Sequence, residues 1–243
     1  MDGIDPRDAL LQAHVPAVMV PRFSVLDPLK QSGHRYLVAA DGLWIEVERP
    51  WLHLRWPIAP SPAPLPYGEL EDAMVFAFDW GIFGLFVEQF REECWRVMPN
   101  EHAVWLVWDE RENQLLYRRL VAIDAGPAGI TMHRPQLARH EHLAVDLHSH
   151  GALVAGFSAT DDADDAGEVK LCMVLGNLDY DPAEETRAIR LCAHGLFIPF
   201  EDEADRTCRV CGCTETTPCA GGCAWVEPDL CSACSFSQQE DAK

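Results

Sequence analysis

Basic side chains are scarce in this 243-residue chain: 19 Lys and Arg stand against 39 Asp and Glu, a formal net charge of −20. Binding to a phosphate backbone is driven by cations that release counterions, so nucleic acid is not expected as the main partner, whereas a basic protein is compatible. No apolar run approaches the roughly 20 residues that a helical bilayer span needs. Asp2, Asp5 and Asp8 stand where a secretory leader would carry positive charge, so no export signal is expected. Cysteine is thin before residue 207, where only Cys94, Cys172 and Cys192 occur; the other seven of the ten cluster after it. That distribution points to thiolate metal ligands in a reducing cytoplasm rather than to a secreted disulfide scaffold. The length allows one large domain or two small ones, and a hydrophobic content of 48% is enough for a packed core.

Residues 1–33 carry a short apolar run, Val15 to Val20, and no legible chemistry. Tyr36 to Ala40, Asp41-Gly42 and Leu43 to Val47 form a hairpin signal. Trp44, Trp51 and Trp56 add apolar surface that serves either a core or a partner. Pro57, Pro60, Pro62, Pro64 and Pro66 suggest a stiff extended connector, which places a domain boundary there: 1–66 an N-terminal β unit with its linker, 67–203 the main domain, 204–243 a tail. From Trp80 to Met98, Ile82, Phe86, Phe90, Cys94 and Val97 recur at helical steps, and Pro99 stops the helix. Val104 to Trp108 reads as a buried strand, Leu115 to Ile123 as its return, and residues 124–142 as a connection. Glu168 to Leu178 and Leu191 to Phe200 read as strands, with a polar, helix-prone stretch from Pro182 to Arg187 between them.

The chain is organised around His148-Ser149-His150, which seven residues separate from Ser158 and two more from Asp161. A borderline or hard cation takes neutral imidazoles and a carboxylate and, in a catalytic site, keeps one position open. Alternation over Leu143 to His150 suits a strand with Leu143, Val145 and Leu147 toward a core and Ala144, Asp146, His148 and His150 on the other side. Both imidazoles then project from one face. Ser158 to Asp165 looks like a helix start, with Asp162, Asp164 and Asp165 on a solvated face. His140-Glu141-His142 repeats the H-x-H spacing but lacks the downstream Ser and Asp, and reads as surface.

The HSH-x7-S-x2-D pattern resembles the JAMM motif of the JAB1/MPN/Mov34 metallopeptidases, which cut isopeptide bonds of ubiquitin and ubiquitin-like proteins. The runs GHRYLVAADGLWIEV, VDLHSHG, FSATDDADDAGEVKL and GLFIPF resemble the protein A family of the PRTRC system, a plasmid-associated cassette named for ParB-related and ThiF-related members. The resemblance covers most of residues 20–200. It implies an α+β or α/β sandwich of the MPN, cytidine-deaminase-like kind, to which the residues themselves add an N-terminal β unit and a small cysteine-rich zinc tail. It also implies a catalytic zinc on His148, His150 and Asp161. Helix, glutamate, apolar strand is the order in which JAMM proteins place their catalytic glutamate, and by resemblance that role falls on Glu101. Glu110 is the competing candidate. The resemblance further implies a ubiquitin-like conjugate as substrate and a ThiF or E1-like partner.

An acidic stretch, Glu201 to Asp205, leads to the tail: Cys208-x2-Cys211-x-Cys213-x5-Cys219-x3-Cys223-x7-Cys231-x2-Cys234. The outer pairs, Cys208, Cys211, Cys231 and Cys234, have the spacing of a structural zinc site. Cys213, Cys219 and Cys223 are left open; with no histidine in the tail, a second zinc would need a bridging thiolate. Arg206, Arg209 and Lys243 are too few for nucleic acid, so protein contact or a structural role is favoured.

As an expectation, Glu101 takes a proton from a zinc-activated water, Ser158 and the ion stabilise the oxyanion, and the proton passes to the leaving amine. Asp146 either holds a ligand imidazole in one tautomer or is simply solvated. The competing classes are a non-catalytic MPN-type scaffold with an interaction tail and a zinc-tail DNA-binding factor.

Overall fold

The structure, a computed structural model, describes residues 4–179, 184–200, 207–214, 218–220, 222–227 and 230–235. The acidic stretch 201–205, Arg206 and Lys243 lie outside the described residues, as does the start of the segment read as helix-prone from Pro182. The architecture is mixed, with two main sheets and few helices.

The first sheet has the order β1-β2-β3-β4-β5, from Ala17–Met19, Gly33–Ala39, Gly42–Arg49, Leu52–Pro60 and Ala73–Phe76. The Asp41-Gly42 hairpin forms, with Ala39 opposite Gly42. Gly42 is required there: its φ is +150°, and a Cβ would lie 2.2 Å from the Ala59 carbonyl oxygen. Pro57 and Pro60 lie inside β4, and β5 pairs with β4 beyond the proline run, so the sheet continues to Phe76. The first helix, α1 (Pro6–His14), was not legible as such; its signals are Asp5, which accepts the Arg7 N–H, and Pro6 at the first turn.

Helix α2 (Trp80–Val97) follows the periodicity of its apolar residues and is capped by the Asp79 carboxylate, which accepts the Ile82 N–H. It buries Phe83, Val87, Phe90 and Cys94. These meet Ile45, Val47, Trp51, Leu52 and Leu54 of the first sheet and Val104, Leu106, Val145, Leu147 and Leu171 of the second in one apolar core. Trp44 and Trp51 are buried, and Trp56 packs against the core.

The second sheet has the order β13-β12-β11-β10-β6-β7: Leu196–Pro199, Thr186–Ala193, Val169–Gly176, Glu141–Ser149, Ala103–Asp109 and Gln114–Arg119. Strands β10 and β11 are parallel, joined across α3 (Ala159–Asp165), while the other neighbours are antiparallel. Three expectations change here. Residues 124–142 are not a plain connection: β8 (Val121–Gly126) and β9 (Gly129–His133) form a separate hairpin, turned by Pro127 and Ala128. The segment Leu191 to Phe200 is two strands, because His194 and Gly195 adopt positive φ of 50° and 87° and reverse the chain. A bulge between Leu143 and Val145 breaks the alternation, so Ala144 is buried in the core and Leu143 is only half-buried.

Candidate metal centre

Strand β10 is central in its sheet, and past the bulge the period-2 alternation holds: Val145, Leu147 and Ser149 turn inward, while Asp146 and His148 face the other side. His150 follows the strand end, its N–H donating to the Leu175 carbonyl at 2.8 Å. The two imidazole rings stand 5.2 Å apart. Asp161 arrives from α3. A ligand atom from each of His148, His150 and Asp161 lies within 4.8 Å of the other two.

The start of α3 aims the carboxylate. Ser158 is the N-cap and Asp161 the third helical residue, in a reciprocal capping box. Ser158 N–H and Oγ both donate to Asp161 Oδ2, each at 2.7 Å, and the second oxygen, Oδ1, lies 3.6 Å from His148 Nε2. His148 Nε2 is buried and, among the described residues, has no hydrogen-bond partner. Burial, opposed by the Asp161 and Asp146 charges, lowers the His148 pKa and favours the neutral ring that a metal needs. His150 Nδ1 donates to the Val154 carbonyl at 3.3 Å, which leaves its Nε2 lone pair available. An orphaned buried nitrogen, an oriented second imidazole and a carboxylate with one committed oxygen together fit a divalent cation.

These residues line a cavity of about 370 Å³ together with Glu101, Ser158 and residues of β9. Glu101 is 8% exposed, and its N–H donates to the Gly126 carbonyl at the end of β8. Burial pushes its pKa up, the His150 charge pulls it down and the Asp161 charge pushes it up again. Glu110 lies past the opposite end of β6, paired with His142 at 3.2 Å, and does not line the cavity. His140 and His142 are at that same far end of β10, beside Asp109 and Glu110.

Sequence reasoning missed what fixes the geometry. Lys170 of β11 is 1% exposed and reaches Asp146 at 2.8 Å, Asp165 at 2.8 Å and Glu168 at 2.9 Å. Asp146 is therefore neither bonded to an imidazole nor simply solvated. Nor is Asp165 on a solvated face: it is buried, four residues after Asp161, against Lys170 and against Arg190 at 2.7 Å. Burial raises the Asp165 pKa, and hydrogen bonds from Lys170 and Arg190 outweigh it and hold the group ionised. The Lys170 cation thus ties α3, which carries Asp161, to β10, which carries His148. A lone lysine in an apolar strand was the available signal, since such a residue is buried only when paired.

Residues 86–192 match the family model for prokaryotic homologs of the JAB domain. The chain carries a JAB-like domain. Its motif residues, His148, His150, Ser158 and Asp161, and the glutamate Glu101 all fall inside the matched span. Residues 5–77, the first sheet included, match a second model, described as a domain of unknown function, DUF2016. No curated protein matches the chain.

In the tail, β14 (Trp225–Glu227) pairs with β15 (Leu230–Cys231). The thiols of Cys208, Cys211, Cys213 and Cys231 could hold a metal ion, as could those of Cys213, Cys219, Cys223 and Cys231. Among the described residues no helix is long and apolar enough to cross a membrane.

Proposed function

We propose that this chain is a zinc-dependent peptidase or isopeptidase of JAMM type, acting on ubiquitin-like conjugates or precursors in the cytoplasm, within a PRTRC-type cassette with a ThiF-like partner. The reading is supported above all by His148 Nε2: a buried, unpartnered nitrogen 3.6 Å from Asp161 Oδ1 and beside a second imidazole is costly unless a cation completes it. In this reading the three parts are a β unit to residue 66, the JAMM-type domain 67–203 and the tail 204–243.

His148, His150 and Asp161 would hold the ion. A divalent ion bound there supplies Lewis acidity and brings the pKa of a water toward neutrality. Glu101 takes the proton of the attacking water on its carboxylate and returns it to the nitrogen of the leaving amine. Burial raises its pKa above the ordinary carboxylate value, the direction that favours a proton acceptor. Ser158 Oγ donates to the carbonyl oxygen as negative charge develops, exchanging its bond to Asp161 Oδ2 for the stronger one. Leu153 and Val154, both exposed beside the site, offer apolar contact to a peptide. In the tail, Cys208, Cys211, Cys231 and Cys234 would hold a structural zinc that folds the segment for protein contact.

The test is Glu101→Gln in the full chain, incubated with ubiquitin-like conjugates and precursors, with zinc measured in parallel. Zinc retention with cleavage reduced by about 100-fold or more is expected. Unchanged cleavage would remove Glu101 as the base. Absence of cleavage by the unaltered, zinc-loaded chain on every conjugate and precursor tried would move the protein to the scaffold class.

A further inference from the structure

The tail holds more thiols than one ion can use. A tetrahedral zinc takes four ligands, and seven cysteines converge here. Among the described residues none is joined by a disulfide, and four sulfur pairs stand close but beyond bonding distance: Cys211–Cys219 is 3.6 Å, Cys211–Cys231 3.8 Å, Cys213–Cys223 3.8 Å and Cys219–Cys231 3.9 Å. Two sulfurs on one tetrahedral zinc at the usual bond length of ~2.3 Å stand about 3.8 Å apart; the still closer Cys211 and Cys219 bring the two halves of the cluster into contact across the buried Cys231, which is near both.

We propose that the tail carries two zinc ions that share one thiolate, Cys231. The first ion takes Cys208, Cys211, Cys231 and Cys234; the second takes Cys213, Cys219, Cys223 and Cys231. Two tetrahedral ions need eight ligand positions, and seven thiolates fill them when one is shared. The second set is one of two cysteine groups whose sulfurs all lie within 4.8 Å of one another; the other, Cys208, Cys211, Cys213 and Cys231, shares three members with the first set, and Cys213 stands there in the place assigned to Cys234. The first set has the outer C-x2-C spacing at both ends, and Cys234 is buried in the same small cluster as Cys208 and Cys231. Cys231 is the natural bridge: it is fully buried, with Cys211 of one set at 3.8 Å and Cys219 of the other at 3.9 Å.

Two further features fit. The Cys208 sulfur accepts the Cys231 N–H at 3.5 Å, and the Cys223 sulfur accepts the Cys219 N–H at 3.4 Å. Such bonds stabilise thiolate ligands in both halves of the cluster. Among the described residues of the tail, the buried ones are four of the cysteines and Leu230, with Trp225 packed partly against them. So small an apolar centre cannot order the segment, and metal binding energy must replace it. This inference extends the tail-zinc reading and is independent of the peptidase.

The test uses the full chain carrying His148→Ala and Asp161→Ala, so that the His/Asp centre adds no ion. Two zinc ions per chain are expected. One ion overturns the shared cluster and leaves a single tail site; none overturns the tail-zinc reading as well. In the cadmium-113 form, the β-protons of Cys231 are expected to correlate with two cadmium resonances and those of each other tail cysteine with one. Correlation of Cys231 with a single resonance, or of Cys213 with both, overturns the assignment. Cys223→Ser is expected to release the second ion and keep the first; a count that stays at two overturns it.

Discussion

Lys170→Met would show how far the metal centre depends on a residue that touches no ligand. Lys170 is 1% exposed and holds three carboxylates within 2.9 Å. Removing one partner of a buried ion pair costs about 3–5 kcal/mol, because the other charge is left without compensation. Here the lower end applies: Asp165 keeps Arg190 at 2.7 Å and Glu168 keeps Arg134 at 2.9 Å, so Asp146 is the group orphaned. A loss of about 3 kcal/mol corresponds to a midpoint lower by roughly 6–12 °C for a chain of this size. The metal-free protein should show this in thermal and urea unfolding. The functional consequence is distinct. Without the cation bridging Asp146 and Asp165, α3 and β10 lose their shared anchor, so Asp161 is held less firmly against His148. Zinc affinity, measured by chelator competition, should fall about 10- to 100-fold. Asp146→Asn with Lys170→Met should cost less than the two singles together, with a coupling of about 1 kcal/mol or more. A Lys170→Met protein with unchanged zinc affinity and less than about 1 kcal/mol of destabilisation would refute the anchoring role.

Ser158→Ala removes the two hydroxyl roles of the capping box and should cost about 1 kcal/mol in unfolding experiments, with Ser158→Thr restoring most of it; zinc affinity should fall with it, because Asp161 Oδ2 loses a 2.7 Å donor. Gly176→Ala places a Cβ 2.3 Å from the Ala155 nitrogen and the Leu153 oxygen, both backbone, so the segment that supplies the Val154 carbonyl to His150 must shift; we expect a loss of about 1–3 kcal/mol and weaker zinc binding by calorimetry. Glu93 is a stability device in α2: burial pushes its pKa up, but hydrogen bonds from Arg119, Gln89, His102 and Tyr117 outweigh it and hold the group at about 2. Because the folded value lies below the ordinary 4.5, its contribution is present above pH 4.5 and is lost as the pH falls toward 2. Glu93→Gln should therefore flatten the acid limb of stability against pH by at most about 3 kcal/mol, and an unchanged limb would reject it.

Much of the site was legible because local rules govern it. Period-2 alternation turns His148 away from the core, the x7 and x2 spacings let His150, just past the strand, and Asp161 of α3 come together with it, and a serine before an aspartate marks the turn into α3. Helix α2 and the Asp41-Gly42 hairpin were legible for the same reason: periodicity and turn chemistry act within a few residues. The β8–β9 hairpin and the break at His194-Gly195 were not, since neither has a strong periodic signal and His194 takes a positive φ that histidine seldom adopts.

What the sequence by itself determined, then, is the set of candidate ligands: which side chains carry imidazole, carboxylate and thiol, and at what spacing. Tertiary structure alone decided how they are held. Lys170, Asp146, Asp165 and Arg190 are brought together by the parallel pairing of β10 with β11 and the antiparallel pairing of β11 with β12. Glu101 rather than Glu110 reaches the cavity because β6 runs antiparallel to β10, which places its first residues beside His148 and its last beside Glu141. Strand pairing joins residues distant in the chain through backbone hydrogen bonds that nearly every residue type can make, so the side-chain pattern of one strand fixes which face is buried but does not name the strand that lies beside it.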